Sequence, residues 1–315
     1  MPSSMSITLR VALIGFIVTH GAIVLARPTV FKQITMLEES NSTLLRYPTQ
    51  FTQNIVPKQI HSHNDYWRDV PLLTALSFGV ASVEADVWFI NDTLFVGHEL
   101  AALTPTRTFD SLYVQPLLAI LALQNPINAF TANQTSPNGV FDTSSGTPLQ
   151  LLVDMKTDGD STLPPVLTAL QPLRRLNYLT TFTNNTLTPS ALTIIGTGNT
   201  PLQRIKSLSP RDIFFDAPLA SLNDDPDTIY NTTLSPIAST DYEVAIGWDG
   251  IGDISETQAG EVERLVGEAH RRGMKARFWD TPGWPVQARG KVWEVLVEKG
   301  ADWLNVDDVE AASLF

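Results

Sequence analysis

The chain has 315 residues, 43% of them hydrophobic and 17% charged. That is enough apolar surface for a sizeable core, and it excludes a disordered or low-complexity chain. The formal charge of −12, with no long run of Lys and Arg, argues against a nucleic-acid partner, and the absence of cysteine excludes disulfides, thiolate metal sites and cysteine nucleophiles.

The N-terminus comes first in chain order. Residues 1–10 are small and polar, with one cation, Arg10, and residues 11–26 form the mainly apolar run VALIGFIVTHGAIVLA before Arg27-Pro28. This order predicts a secretory signal over 1–26, with Val24 and Ala26 at the small positions before the cut. The run is shorter than the ~20 residues of a spanning helix; an uncleaved anchor through 11–26 is the alternative. N-x-S/T acceptors at Asn41, Asn91, Asn133, Asn184 and Asn231 fit a secreted glycoprotein. Residues 27–57 carry little periodicity and read as an N-terminal arm.

From residue 58 a local pattern repeats. PLLTALSFG precedes VASVEADVWF, VERLVGEAHRRG precedes MKARFWD, and KVWEVLVEKG precedes ADWLNVDD. In each, a helix-like stretch ends at a glycine (Gly79, Gly273, Gly300), where positive φ costs glycine little, and a strand-like run follows. Ser255 and Gln258 predict a capping box, and Val262, Leu265, Val266 and Ala269 an apolar helix stripe. Strands are expected near Lys58–His61, Ala81–Phe89, Leu149–Met155, Leu192–Gly196, Asp212–Asp216, Val244–Trp248, Lys275–Trp279 and Asp302–Val306. Thr93–Gly97 reads as a hairpin partner inserted after the second strand. Residues 125–148 read as a polar surface loop. Parallel strands joined by helices predict an α/β fold, a closed (β/α)8 barrel (TIM barrel) of one domain over 58–315, with an open doubly wound sheet as the alternative.

Polar residues gather at the expected C-terminal ends of these strands, the face that carries the active site in such barrels. Glu84 and Asp86, two apart on a strand, share one face. Two carboxylates in one small space repel each other unless a cation joins them, and oxygen ligands select Mg²⁺, Ca²⁺ or Mn²⁺ over softer metals. Asp154 offers a third carboxylate, so a divalent cation, Mg²⁺ or Ca²⁺, is the expected cofactor. His61, His63 and His98 are three of five histidines in the chain. Two imidazoles beside a cation suit phosphodiester cleavage, one activating the nucleophile and one protonating the leaving oxygen. His63 and His98, each at a strand end, are the candidate catalytic pair. His61, Asn64, Asp65, Lys156 and Trp279 are candidate substrate contacts.

The segment HSHNDYWRDVPLLTALSFGVASVEADVWFINDTLFVGHE resembles the opening of the phospholipase-C-like phosphodiesterase superfamily, which includes glycerophosphodiester phosphodiesterases, bacterial phosphatidylinositol phospholipases and sphingomyelinase D enzymes. The shared order is strand, His, helix, Gly, strand with Glu-x-Asp, then a second His. LLVDMK resembles the sphingomyelinase D strand that gives a third ligand and a lysine. HSHNDY with EADVW and VGHE resembles, more narrowly, the fungal altered inheritance of mitochondria protein six family. The resemblance implies a barrel, an acid/base pair at His63 and His98, and metal ligands at Glu84, Asp86 and Asp154. Where glycerophosphodiesterases usually have His-Arg-Gly, Asn64 and Asp65 follow His63, so that family's phosphate-contacting Arg has no counterpart here. His61 leaves open which histidine holds the catalytic place.

Two functions are expected to compete. One is a secreted, metal-dependent phosphoric diester hydrolase, or an intramolecular phosphotransferase giving a cyclic phosphate, acting on a phospholipid or related phosphodiester. The other is a catalytically silent barrel serving as a binding or structural protein. The acidic balance allows only transient membrane contact. No protein partner is inferred.

Overall fold

A computed structural model of the protein describes residues 29–224 and 229–315. The expected signal over 1–26 and its cut before Arg27 lie outside the described residues. Residues up to Tyr47 and residues 48–315 form two units. In the first, Val30–Glu39 is helical, with Thr29 Oγ1 accepting from the Lys32 N–H at 3.3 Å. Within the residues read as an N-terminal arm, a Thr cap and a short helix are thus present, and none of the helix residues is buried. Among the described residues no helix is long and apolar enough to cross a membrane.

Residues 48–315 are built on strands β1 (Lys58–Ser62), β2 (Val80–Ile90), β3 (Thr93–Val96), β4 (Leu149–Met155), β5 (Thr181–Thr183), β6 (Thr186–Thr188), β7 (Leu192–Gly198), β8 (Phe214–Phe215), β9 (Ala217–Pro218), β10 (Ile237–Asp241), β11 (Lys275–Trp279) and β12 (Leu304–Val306). β12-β1-β2-β4-β7-β8 form one parallel path, β11-β10-β9 a second sheet, and β5-β6 a separate antiparallel pair. β3 returns antiparallel on the distal half of β2, through Val87↔Val96 to Ile90↔Thr93.

Three of the crossovers between parallel strands are helices that end in a sharp turn shortly before the next strand. Gly79, Gly273 and Gly300 have φ of 79°, 72° and 86°. At Gly79 a Cβ would lie 2.3 Å from the Val56 carbonyl oxygen, so no larger residue fits the turn into β2. Helix Glu256–Arg271 opens with the Ser255–Gln258 capping box and buries Val262, Leu265, Val266 and Ala269. Helix Val286–Glu298 buries Val292, Trp293 and Leu296. The core lies between these helices and the strands, where Val83, Ala85, Val87, Leu151, Val153 and Ile194 are buried.

Two expectations are corrected. The sixth strand is Ile237–Asp241, not Val244–Trp248. Asp241 caps a helical turn over Tyr242–Ala245 by accepting from the Val244 N–H at 2.8 Å, and Val244 itself is exposed. The β-branched run before that cap carries the strand. The ring of strands is also not closed by a continuous ladder. The fifth strand breaks at Asp216: β8 pairs with β7 and β9 with β10. On the other side, β11 and β12 meet at the single bridge Arg277↔Trp303. The polar stretch 125–148 is tied down at its end, where Phe141 is buried and the Thr52 hydroxyl donates to the Val140 carbonyl at 2.6 Å.

Candidate active site

The register of the parallel strands sets the site. Asp86 on β2 stands opposite Asp154 on β4, and His61 and Ser62 on β1 stand opposite Ser82 and Val83 on β2. The C-terminal strand ends frame a cleft of about 350 Å³ whose lining includes His63, Glu84, Asp86, His98, Asp154 and Lys156. Asn64, Arg277 and Trp279 also line it. A larger hollow of about 580 Å³ lies between the β2–β3 hairpin and helix Gly159–Ala169 and holds none of the candidate catalytic groups.

One ligand oxygen each from Glu84, Asp86 and Asp154 falls within 4.8 Å of the others. Asp86 Oδ2 lies 2.7 Å from the Tyr66 hydroxyl and 2.9 Å from Lys156 Nζ, which stands 3.0 Å from Asp154 Oδ2. Asp86 Oδ1 is buried with no hydrogen-bond partner. Burial, then the charges of Glu84 and Asp154, push the Asp86 carboxyl up to about 7. Burial likewise raises Asp154. Glu84 goes the other way: against its burial, the His61 ring and the Arg277 guanidinium hold it well below the usual carboxylate range. Lys156 is raised despite burial, because Asp154 and Asp86 favour its ammonium. An orphaned carboxylate oxygen beside two crowded carboxyls fits a hard divalent cation held by the oxygens of Glu84, Asp86 and Asp154. Gly198 makes room for the third: its φ is +62°, and a Cβ there would meet Asp154 Oδ1 at 2.0 Å.

His63, half-buried, and His98, exposed, flank this cluster. His63 Nε2 is 3.9 Å from Glu84 Oε2, and His98 Nδ1 is 3.5 Å from Asp86 Oδ2. His63 Nδ1 pairs with Asp307 Oδ1 at 2.9 Å. Trp67 packs edge-on against the His98 ring, with centroids 5.5 Å apart. His61 is corrected as a substrate contact. It is fully buried behind Glu84, its Nδ1 pairs with Ser82 Oγ at 2.7 Å, and burial followed by the Arg277 charge lowers it to about 3. Asp65 is corrected in the same way. It is fully buried and accepts from the Ser62 hydroxyl, the Leu72 N–H and the Tyr113 hydroxyl at 2.8, 2.7 and 3.1 Å.

Comparison with known proteins fits this arrangement. A family model described as an AIM6-like phosphodiesterase domain matches residues 49–216, which contain His63, His98 and all three carboxylates. An altered inheritance of mitochondria protein 6 homolog from Arthroderma benhamiae is 44% identical over 290 residues, 89% of this chain and 90% of the relative. This chain belongs to the AIM6 family.

Its phosphodiesterase domain makes it a phosphoric diester hydrolase. Altered inheritance of mitochondria protein 6 from Eremothecium gossypii is 37% identical over 82% of this chain and 69% of its own length. A glycerophosphodiester phosphodiesterase from Parabacteroides distasonis superposes with a TM-score of 0.45 at 11% identity, covering 83% of this chain and 97% of that one.

Three residues of the AIM6-family site escaped the sequence reading. Asp307 backs His63, and its place just after the last strand was the available signal. Tyr66 belongs to the HSHNDY segment itself. Arg277 is buried, donates to Asn305 Oδ1 at 2.9 Å, and lies 3.5 Å from Glu84 Oε1 and 3.6 Å from Asp216 Oδ2. A lone arginine among the apolar residues of KARFW, on the same strand face as Trp279, was its signal.

Proposed function

We propose that this AIM6-family hydrolase cleaves a phospholipid or related phosphodiester by two-histidine acid/base catalysis, on a (β/α)8-type scaffold. The observation that carries the reading is the placement of His63 and His98 in one cleft, on either side of three buried carboxylates. An Nδ1–H donated to Asp307 leaves His63 with its lone pair on Nε2, the nitrogen nearer the carboxylates, and so makes it the general base. His98 is the general acid for the leaving oxygen. Lys156 offers its ammonium to a phosphoryl oxygen. A divalent cation bound by Glu84, Asp86 and Asp154 supplies charge neutralisation for the pentavalent phosphorus. The nucleophile is water, or a hydroxyl of the substrate itself, in which case the product is a cyclic phosphate.

Trp67 beside His98 and Trp279 in the cleft give the mouth an aromatic wall that suits transient contact with a lipid surface. Secretion is supported by the apolar run of residues 11–26 and by exposure of Asn41, Asn91, Asn133 and Asn184. Asn231 is half-buried, its amide oxygen accepting from the Thr233 N–H at 2.9 Å. Deglycosylation of protein secreted from a eukaryotic host is expected to lower its mass; an unchanged mass contradicts the secretory reading. The substrate is tested by incubating the purified chain with phosphodiester lipids and following the products by mass. A released head group or a cyclic phosphate, dependent on Mg²⁺ or Ca²⁺, supports the proposal. Inertness towards every phosphodiester returns the chain to a silent binding barrel.

A further inference from the structure

The segment after β1 does more than deliver His63. Asn64 is left-handed (φ 48°, ψ 45°), a conformation asparagine tolerates better than most residues. This turn aims the Asn64 backbone N–H at Glu84 Oε2, 3.1 Å away. It also wedges the side-chain amide between two groups. On one side the amide nitrogen lies 3.2 and 3.4 Å from the two ring nitrogens of His63. On the other the amide oxygen faces the Tyr66 hydroxyl as an acceptor. The same hydroxyl lies 2.7 Å from a second acceptor, Asp86 Oδ2, and 3.3 Å from His98 Nδ1.

A phenol has one proton to give, and two acceptors face it, Asn64 Oδ1 and Asp86 Oδ2. Whichever of them takes it, the Tyr66 oxygen is left as an acceptor towards His98 Nδ1. That favours Nδ1 as the protonated nitrogen of His98 and leaves Nε2 as its working atom. A series of polar contacts therefore runs His63–Asn64–Tyr66–His98. Tyr66 is almost fully buried and Asn64 nearly so, so water does not compete for the contact between these two.

The geometry points to Asn64 and Tyr66 as a pair of positioning residues that fixes the spacing of the two histidines and the tautomer of His98. This rests on the two-histidine reading above. It also accounts for the Asn-Asp-Tyr sequence that follows His63: the left-handed Asn64 turns the chain, Asp65 anchors the turn in the core, and Tyr66 returns to the site.

The test uses the full chain in three forms: Tyr66→Phe, Asn64→Gly and the double variant. Glycine keeps the left-handed turn and the N–H to Glu84 while deleting the amide. Misplacement of a catalytic group by about 1 Å can cost ~10²-fold. Each single variant is therefore expected to lower kcat on bis(p-nitrophenyl) phosphate by roughly ten- to a hundredfold, with KM changed less than about twofold. The double variant should lose no more than the worse single one, because both residues belong to one unit. A readout free of turnover is ¹⁵N NMR of histidine-labelled protein. In the wild type His98 should show a single Nδ1–H tautomer, and in Tyr66→Phe an averaged one.

An unchanged His98 tautomer in Tyr66→Phe overturns the inference, whatever the turnover. So does wild-type kcat in Tyr66→Phe and Asn64→Gly when His63→Ala and His98→Ala are inactive. Manganese titration calorimetry excludes an effect through the carboxylates: Mn²⁺ affinity falling in step with kcat would assign the pair to the metal ligands instead. Full activity of His63→Ala or His98→Ala contradicts the two-histidine reading itself and is a separate result.

Discussion

Protonation of His61 is a direct test of how the floor of the site is built. The ring is fully buried, its Nδ1 pairs with Ser82, and its Nε2 has no hydrogen-bond partner. Burial and the neighbouring Arg277 lower it from 6.5 to about 3, so the folded chain keeps it neutral. The unfolded chain takes up the proton near 6.5. Between the two values the unfolded state holds a proton that the folded state lacks, so stability is lost as pH falls from about 6.5 towards 3. At pH ~4.5, two units below the unfolded value, the loss is about 2–3 kcal/mol at ~1.4 kcal/mol per unit. His61→Gln, which cannot take the proton, should be less stable than the wild type at pH ~7.5 by about 1–3 kcal/mol, because a buried polar contact is disturbed. Between pH ~7.5 and ~4.5, however, it should lose about 2–3 kcal/mol less than the wild type does. Urea unfolding of both proteins at the two pH values, with a chelator present, gives this difference. Equal losses in the two proteins would refute the buried neutral histidine.

Other consequences follow from the same contacts. Arg277→Met leaves Glu84 and Asp216 buried without their shared cation and should cost about 3–5 kcal/mol, read by thermal or urea unfolding. Asp154→Asn removes a ligand and Gly198→Ala crowds the same carboxylate; each should weaken Mn²⁺ binding at least about tenfold by calorimetry, and unchanged affinity would remove Asp154 from the ligand set. Asp307→Asn should lower kcat by about tenfold or more with little change in KM, since it disturbs only the orientation and tautomer of His63.

The parts of the fold set by local chemistry were legible in the sequence. The helix–glycine turns at Gly79, Gly273 and Gly300 and the Ser255 cap depend on residues a few positions apart, and they formed as expected. β4 and β11 matched the expected limits, β4 as a mainly apolar run and β11 as the stretch that directly follows the Gly273 turn. The sixth strand did not, because Val244, Ile246 and Trp248 look strand-like in isolation. The Asp241 cap, a short-range polar contact, gave that segment a helical turn instead. The break at Asp216 was not legible either; there the Arg277 guanidinium of another strand lies 3.6 Å from Asp216 Oδ2. Within the site, period-two spacing placed Glu84 and Asp86 on one face, and parallel register brought Asp154 opposite Asp86. Burial separated His61 from His63, and burial is a property of the whole fold. The roles of Tyr66, Asp307 and Arg277 depend on contacts between distant segments, which their local sequence signals do not specify.

The central claim is that His63 and His98 perform acid/base catalysis beside a cation held by Glu84, Asp86 and Asp154. The most direct measurement is phosphodiester turnover by the wild type, His63→Ala and His98→Ala, each with Mg²⁺ and with a chelator. Turnover in the wild type that vanishes on chelation and falls by about 10²–10⁴-fold in each variant, with unfolding midpoints nearly unchanged, is the predicted result. Full Mg²⁺-dependent turnover in either histidine variant would contradict it.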